Sequence, residues 1–68
     1  MQGRVKFFNE TKGYGFVYNE GGDWFFHATG ILGEPPAAGD QVEFWLDDGR
    51  KPGELVAVDV KPFPARLT

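Results

Sequence analysis

The segment Lys12-Gly13-Tyr14-Gly15-Phe16-Val17-Tyr18 alternates between aromatic side chains and small or aliphatic ones. Successive side chains of a β-strand point to opposite faces, so Tyr14, Phe16 and Tyr18 would share one face of a strand. The glycines on the other face favour close packing of backbone on the inner side of that strand. The pattern therefore predicts a strand with a row of rings outside and a lysine at one end.

A second alternating segment, Trp24-Phe25-Phe26-His27, follows the turn-forming sequence Asn19-Glu20-Gly21-Gly22-Asp23. This spacing is typical of a hairpin, so we expect the two alternating segments to pair antiparallel. Phe25 and His27 share one face of the second strand. Rings from both strands would then lie side by side near a lysine, which suits the stacking of unpaired bases and the neutralisation of their phosphates.

Aromatic residues at a spacing of two often belong to a core, but the small size of the domain argues against burying all of them. The 68 residues include two tryptophans, two tyrosines and seven phenylalanines. A close-packed interior of this size is already filled by a smaller set of apolar side chains. The predicted core consists of Val5, Val17, Trp24, Phe26, Ile31, Val42, Phe44, Leu46, Val56, Val58 and Val60. The remaining rings are expected to form an exposed patch, which usually marks a binding surface.

Charges are unevenly distributed along the chain. The formal net charge is −3, which taken alone argues against a partner with a phosphate backbone. Residues 1–18, however, contain the cations Arg4, Lys6 and Lys12 against a single carboxylate, whereas the acidic residues concentrate in residues 34–59. The basic segment is also the aromatic one, so the local pattern favours nucleic acid despite the acidic total.

The composition excludes several kinds of site. The chain has no cysteine, so it has neither a disulfide nor a thiolate metal site, and one histidine does not form a zinc site alone. His27 has neither a cysteine nor a serine to activate, and the carboxylates of Asp47-Asp48 lie in a turn rather than a pocket. We therefore expect a protein that is not an enzyme and that uses no metal and no cofactor.

The same composition gives an expectation about the protein's surroundings. The lack of cysteine fits the reducing cytoplasm, and the sequence shows neither a signal peptide nor a long apolar span. We expect a cytoplasmic monomer that does not bind membranes.

Glycine and proline interrupt the sequence too often for a substantial helix. Short strands are predicted instead, near residues 2–9, 14–19, 23–28, 41–47 and 54–61. Five short strands separated by regular turns favour a small closed barrel. Residues 1–68 are expected to form one domain, with a loose tail over residues 62–68.

Alternation within the predicted strands assigns further side chains to a face. In the first strand it places Phe7 inside and Phe8 on the opposite face with the basic residues. In the fourth strand it places Trp45 outside. Ile31-Leu32, which follows a break at residues 28–30, is expected to close one end of the barrel.

Three segments resemble the motifs of a known family, in the order in which that family has them. Gly3-Arg4-Val5-Lys6-Phe7-Phe8-Asn9 is similar to the opening strand of the bacterial cold shock proteins. The hexapeptide Lys12-Gly13-Tyr14-Gly15-Phe16-Val17 resembles their first ribonucleoprotein motif, and Trp24-Phe25-Phe26-His27 resembles their second, followed by a similar turn at Thr29-Gly30-Ile31. RNA-recognition motifs share the hexapeptide, but they need helices behind a four-stranded sheet, which this sequence does not predict.

The resemblance implies an all-β fold, a five-stranded antiparallel OB-type β-barrel that binds single-stranded RNA and DNA on its first three strands. Carried over position by position, it implies binding by Lys6, Phe7, Phe8, Lys12, Tyr14, Phe16, Asp23, Phe25 and His27. Tyr18 continues the row beyond Phe16 and joins the predicted site. Because the family has an aromatic residue of its binding face at the Phe7 position, the resemblance requires a bulge or strong twist that alternation does not predict.

The chain departs from the family pattern at three places. Phe7 stands where tryptophan is usual, and Ala28 stands where an aromatic residue is common. The loop over residues 33–40 is short and lacks the aromatic residue often found there. Two or three stacking platforms are therefore expected to be weaker or absent, and Tyr18 is a candidate to compensate for them.

Together these observations predict a protein that binds single-stranded nucleic acid with low sequence specificity, by stacking bases on an aromatic surface. The resemblance also implies RNA chaperone activity and roles in transcription antitermination and translation. The alternative is a protein- or glycan-binding barrel of OB type, which the acidic net charge favours. A titration with an oligothymidine distinguishes the two, since the alternative predicts no response.

Overall fold

A computed structural model describes residues 1–63, which form a closed barrel of five strands. The strands are β1 (Gln2–Asn9), β2 (Tyr14–Asn19), β3 (Gly22–His27), β4 (Gln41–Asp48) and β5 (Leu55–Pro62), and a short 3₁₀ helix, Ala28–Gly30, follows β3. The order around the barrel is β1-β2-β3-β5-β4, and β4 closes it against β1. Neighbouring strands are antiparallel, apart from a two-pair parallel ladder between β3 and β5. The predicted all-β, OB-type barrel is confirmed.

Two turns built on glycine bring the first three strands together. Between β1 and β2, Gly13 has a φ of 75° and donates its N–H to the Asn9 carbonyl at 2.7 Å. Glycine adopts this left-handed conformation without the strain that a side chain would cause. Between β2 and β3, the Asn19 side chain accepts the N–H of Gly21 at 2.7 Å. The predicted antiparallel hairpin of β2 and β3 is therefore confirmed.

The core is a small set of side chains enclosed by all five strands. Its buried members are Val5, Val17, Phe26, Val42, Phe44, Ala57 and Val60. Partly buried apolar side chains pack against them, namely Phe8, Trp24, Ile31 and Leu46. Most of the predicted core is therefore confirmed, while Phe8 and Ala57 are core residues that the sequence pattern missed.

Gly15 marks the closest approach of backbone and core. A Cβ atom at this position would collide with the Phe7 carbonyl oxygen and would lie 2.8 Å from a carbon of the Phe26 ring. Real Cβ atoms do not approach neighbours this closely, so only glycine fits here without a shift of the ring or backbone. The close backbone packing that the alternating pattern predicts is confirmed at this position.

A bulge in β1 overturns the assignment made by simple alternation. Val5 pairs with Val17 and Phe7 pairs with Phe16, so Lys6 is an extra residue in β1. The extra residue reverses the faces that follow it, because side chains alternate with a period of two. Alternation was thus wrong to place Phe7 inside and Phe8 outside, and the bulge required by the family resemblance is present.

A second irregularity, in β5, corrects the predicted core. Asp59 has a φ of 53°, and the β4–β5 register shifts beside it. As a result, Ala57 and Val60 are buried, whereas Val56 and Val58 alternate to the outer side and stay partly buried. The predicted inward row of three valines is therefore wrong for two of its members.

The predictions for the end of the barrel and for the remaining segments are confirmed only in part. Ile31 packs against the core and bridges to Val60, but Leu32 is exposed, so only the first of the pair closes the barrel. Trp45 is 58% exposed, as alternation predicts. Of the predicted loose tail, residues 64–68 lie outside the described residues. Within residues 1–63, no helix has the length and apolar character needed to cross a membrane.

Candidate nucleic-acid interface

Four aromatic rings meet on the outer face of β1, β2 and β3. Phe7, Phe16 and Phe25 form one row across the three strands, because each pairs in register with the next. Tyr14 lies in the neighbouring row of β2 and pairs with His27. The pairing across three strands thus collects rings that are far apart in sequence.

Each ring of this four-ring surface (Phe7, Tyr14, Phe16 and Phe25) touches two others. The centroid of Phe7 lies 5.8 Å from that of Tyr14 and 5.7 Å from that of Phe16. The ring of Phe25 is nearly parallel to that of Tyr14, with the centroids 5.7 Å apart. It is nearly perpendicular to the ring of Phe16, with the centroids 5.9 Å apart. Edge-to-face and offset-stacked contacts are favourable for aromatic pairs, so the rings hold one another in place before any ligand arrives.

The exposure of these rings suits binding rather than a core role. Phe7 is 38% exposed, and the other three rings are partly buried. A clustered aromatic surface open to solvent presents flat apolar faces to a ligand, and unpaired bases have matching π-faces. The sequence prediction that some rings lie outside the core is confirmed.

Two lysines border the four-ring surface. Lys12 is exposed in the β1–β2 turn, and its backbone N–H is bonded to the Asn9 side-chain oxygen at 3.0 Å. Lys6 occupies the bulge, with its Nζ 3.9 Å from a carboxylate oxygen of Asp23. Both members of this ion pair are well exposed, so the contact contributes little to stability and Lys6 remains available to an incoming phosphate.

His27 adds a directed hydrogen-bonding group beside the rings. It is exposed at the end of β3, and its Nδ1 accepts the backbone N–H of Thr29 at 3.1 Å. The hydroxyl of Thr29 lies 2.9 Å from the same nitrogen. Since Nδ1 is the acceptor, the proton of the neutral ring is on Nε2, which can donate to an acceptor on a ligand.

Phe8 and Tyr18 are the two predicted site residues that lie apart from the four-ring surface. Phe8 faces the core, and its ring stacks on that of buried Phe26 at 5.6 Å with an interplanar angle of 16°. The structure therefore does not bring Phe8 to the outer face. Tyr18 does lie on that face, but farther along β2 and opposite Arg4.

One side of the site could not be found by reading motifs. The hollow beside Phe25 and His27 is also lined by β5 and by the turn before it, including Arg50, Leu55 and Val56. Val56 pairs with Phe25 in the parallel β3–β5 ladder, so the apolar surface continues from the third strand onto β5. The spacing of residues along the sequence does not predict that β5 lies beside β3, because the two strands are separated by β4 in the sequence and become neighbours only when the barrel closes.

Comparison with known proteins agrees with this geometry. The family model described as the 'Cold-shock' DNA-binding domain matches residues 1–62. The chain belongs to the cold-shock domain family. Its relatives include a cold shock-like protein CspA of Vibrio cholerae, 43% identical over 56 residues, which span 75% of this chain and 80% of the relative.

Other relatives of this cold-shock domain come from further bacteria. A cold shock-like protein CspC of Escherichia coli strain K12 is 43% identical over 56 residues, covering 75% of this chain and 81% of the relative. A cold shock-like protein of Thermotoga maritima is 41% identical over 64 residues, covering 88% and 97%. The predicted family is confirmed, and the cold-shock domain is a nucleic-acid-binding domain.

Proposed function

We propose that this cold-shock domain binds single-stranded RNA or DNA with low sequence specificity, by stacking bases on Phe7, Tyr14, Phe16 and Phe25. The observation that carries the proposal is the packing of these four rings into one outer surface across three strands. Bases within a duplex are stacked on one another, so only unpaired bases offer their faces to such a surface.

The groups around the rings have complementary roles in this proposal. Lys6 and Lys12 neutralise phosphates on either side of the stacked bases, and Asp23 orients Lys6 through their ion pair. The Nε2–H of His27 donates to a base or sugar oxygen. Ring faces do not distinguish one base from another as base-edge hydrogen bonds do, which accounts for low sequence specificity.

Binding of single strands leads to a role as an RNA chaperone. A ligand stabilises only the form that it binds, so a domain that holds single strands shifts RNA away from hairpins by mass action. The same shift acts on terminator hairpins and on hairpins that cover a translation start, giving transcription antitermination and translational regulation. We assign these roles to a monomer in the cytoplasm.

The test is a competition assay with a labelled oligothymidine. We expect saturable binding that unlabelled single strand competes away, and much weaker competition by a duplex of matched length. A double variant, Phe16→Ala with Phe25→Ala, serves as the control, because it removes two rings and leaves the charges unchanged. Equal competition by single strand and duplex would contradict stacking, and no binding at all would favour the protein- or glycan-binding alternative.

A further inference from the structure

Tyr18 and Arg4 lie directly opposite each other near the far end of the β1–β2 ladder, beyond the four-ring surface. Tyr18 shares the outer face with Phe16, two residues and therefore about 6.6 Å along the same strand. It is 41% exposed, more than Phe7 on the four-ring surface itself. Tyr18 therefore presents a further exposed ring on the face that carries the four-ring surface.

Two shallow hollows flank the Tyr18 side chain. One is bordered by Lys6, Asp23 and Gly39, and it adjoins the four-ring surface at the β1 bulge. The other is bordered by Arg4, Glu20 and Gln41. Because Tyr18 lines both hollows, a planar group can approach it from either side.

Cations occur on both sides of Tyr18. Arg4 lines one hollow together with Tyr18, and its Nη1 donates to the carbonyl oxygen of Gly39 at 3.0 Å. A guanidinium has five N–H donors, so this bond leaves donors for a phosphate. Lys6 lies on the other side, in the hollow next to the four-ring surface.

We propose that Tyr18 and Arg4 form an additional subsite, which holds one more nucleotide of the same single strand. The base stacks on Tyr18 in the hollow bordered by Lys6, and its phosphate is bound by Arg4. The phosphate then lies at the edge of the second hollow, which Arg4 borders, and the carboxylate of Glu20 in the same hollow weakens its binding by repulsion. The inference rests on the proposed function, and it makes the binding site one nucleotide longer than the four-ring surface.

Oligothymidines of increasing length test the subsite, with dissociation constants measured for the wild type and for Tyr18→Ala. For oligomers just long enough to cover the four rings, we expect the two proteins to bind equally. For longer oligomers, we expect Tyr18→Ala to bind about five- to 150-fold more weakly, the loss typical of one stacked base. Trp45→Ala is the matched control, since it removes an exposed ring on β4 and should bind like the wild type at every length.

Two further variants, Arg4→Gln and Glu20→Gln, test the subsite even if Tyr18→Ala does not fold. Arg4→Gln should lower the magnitude of the slope of log K against log salt by about 0.7 with long oligomers only. Glu20→Gln should strengthen binding of the long oligomers and leave that of the short ones unchanged. Chemical denaturation of each variant checks its fold.

The possible failures are distinguishable. If the wild type binds no oligothymidine, the proposed function fails and the subsite fails with it. If the wild type binds, but folded Tyr18→Ala matches it at every length, the subsite is overturned and the proposed function stands. Unchanged affinities of both Arg4→Gln and Glu20→Gln would likewise overturn it.

Discussion

Phe7 of β1 and Phe16 of β2 face each other across the strand pair, with ring centroids 5.7 Å apart, because Lys6 is an extra residue in β1. Without this bulge, Phe7 would point into the barrel and Phe8 would replace it outside. The bulge also places Lys6 at the edge of the rings, beside Asp23. One local irregularity thus builds both the aromatic row and the cation next to it.

Removal of a ring from the four-ring surface should cost more binding than stability. We expect Phe16→Ala and Phe25→Ala each to weaken binding of a single strand by about 1–3 kcal/mol, the value of one stacked base. Because these rings are only partly buried, the loss in unfolding free energy should be smaller than the ~3–5 kcal/mol typical of a buried phenylalanine. Titration with an oligothymidine and chemical denaturation measure the two quantities.

The matched control for these variants is Phe26→Ala, in the same strand as Phe25 but on its buried face. That substitution should destabilise the fold by about 3–5 kcal/mol. Collapse of the fold in both Phe16→Ala and Phe25→Ala would assign those rings to the core and contradict their role in binding.

Much of the fold and part of the site follow from the sequence alone. The bounds of β1 and β2 and the hairpin of β2 and β3 are set by turn residues and alternation, which act over short distances. The bulge at Lys6 and the positive φ of Asp59 are not, because alternation assumes an unbroken period of two, and a shift of one residue in the register reverses the faces that follow it. Alternation therefore misplaced Phe7 in β1 and Val58 in β5, whereas the family resemblance placed Phe7 correctly.

Phosphate contacts should make only a limited contribution to affinity. The four-ring surface is bordered by Lys6 and Lys12, and single strands give a slope of about −0.7 per neutralised phosphate in log K against log salt. Two to four contacts predict a slope of roughly −1.5 to −3, and Lys12→Ala should lower its magnitude by about 0.7 for all sequences alike. Binding measured at several salt concentrations checks this. A slope steeper than about −5 would show that phosphate contacts dominate over stacking.

Intrinsic fluorescence should respond only modestly to the ligand. Trp24 packs on the core, with its ring centroid 5.7 Å from that of Phe44. Trp45 lies on β4, outside the three strands that carry the rings. Emission spectra recorded during a titration with an oligothymidine test this expectation. Near-complete quenching would mean that one of the two tryptophans contacts the bases.

A methyl group at Gly15 should disturb the barrel directly beneath the four-ring surface. The added Cβ would collide with the Phe7 carbonyl and press on the Phe26 ring, so we expect Gly15→Ala to cost about 1–3 kcal/mol of unfolding free energy. Gly30→Ala is the control, since its Cβ would meet neighbours only at an ordinary 3.7 Å and should change stability by less than about 0.5 kcal/mol. Equal denaturation midpoints for the two variants would contradict the close packing at Gly15.

Mapping of amide chemical shifts by NMR, during titration with a short oligothymidine, tests most directly whether the aromatic face of the first three strands binds single-stranded nucleic acid. We predict that the largest shift changes cluster on β1, β2 and β3, around Phe7, Phe16, Phe25 and His27, and that residues around Trp45 on β4 change little. Changes centred on β4, with the first three strands unaffected, would contradict the proposed interface.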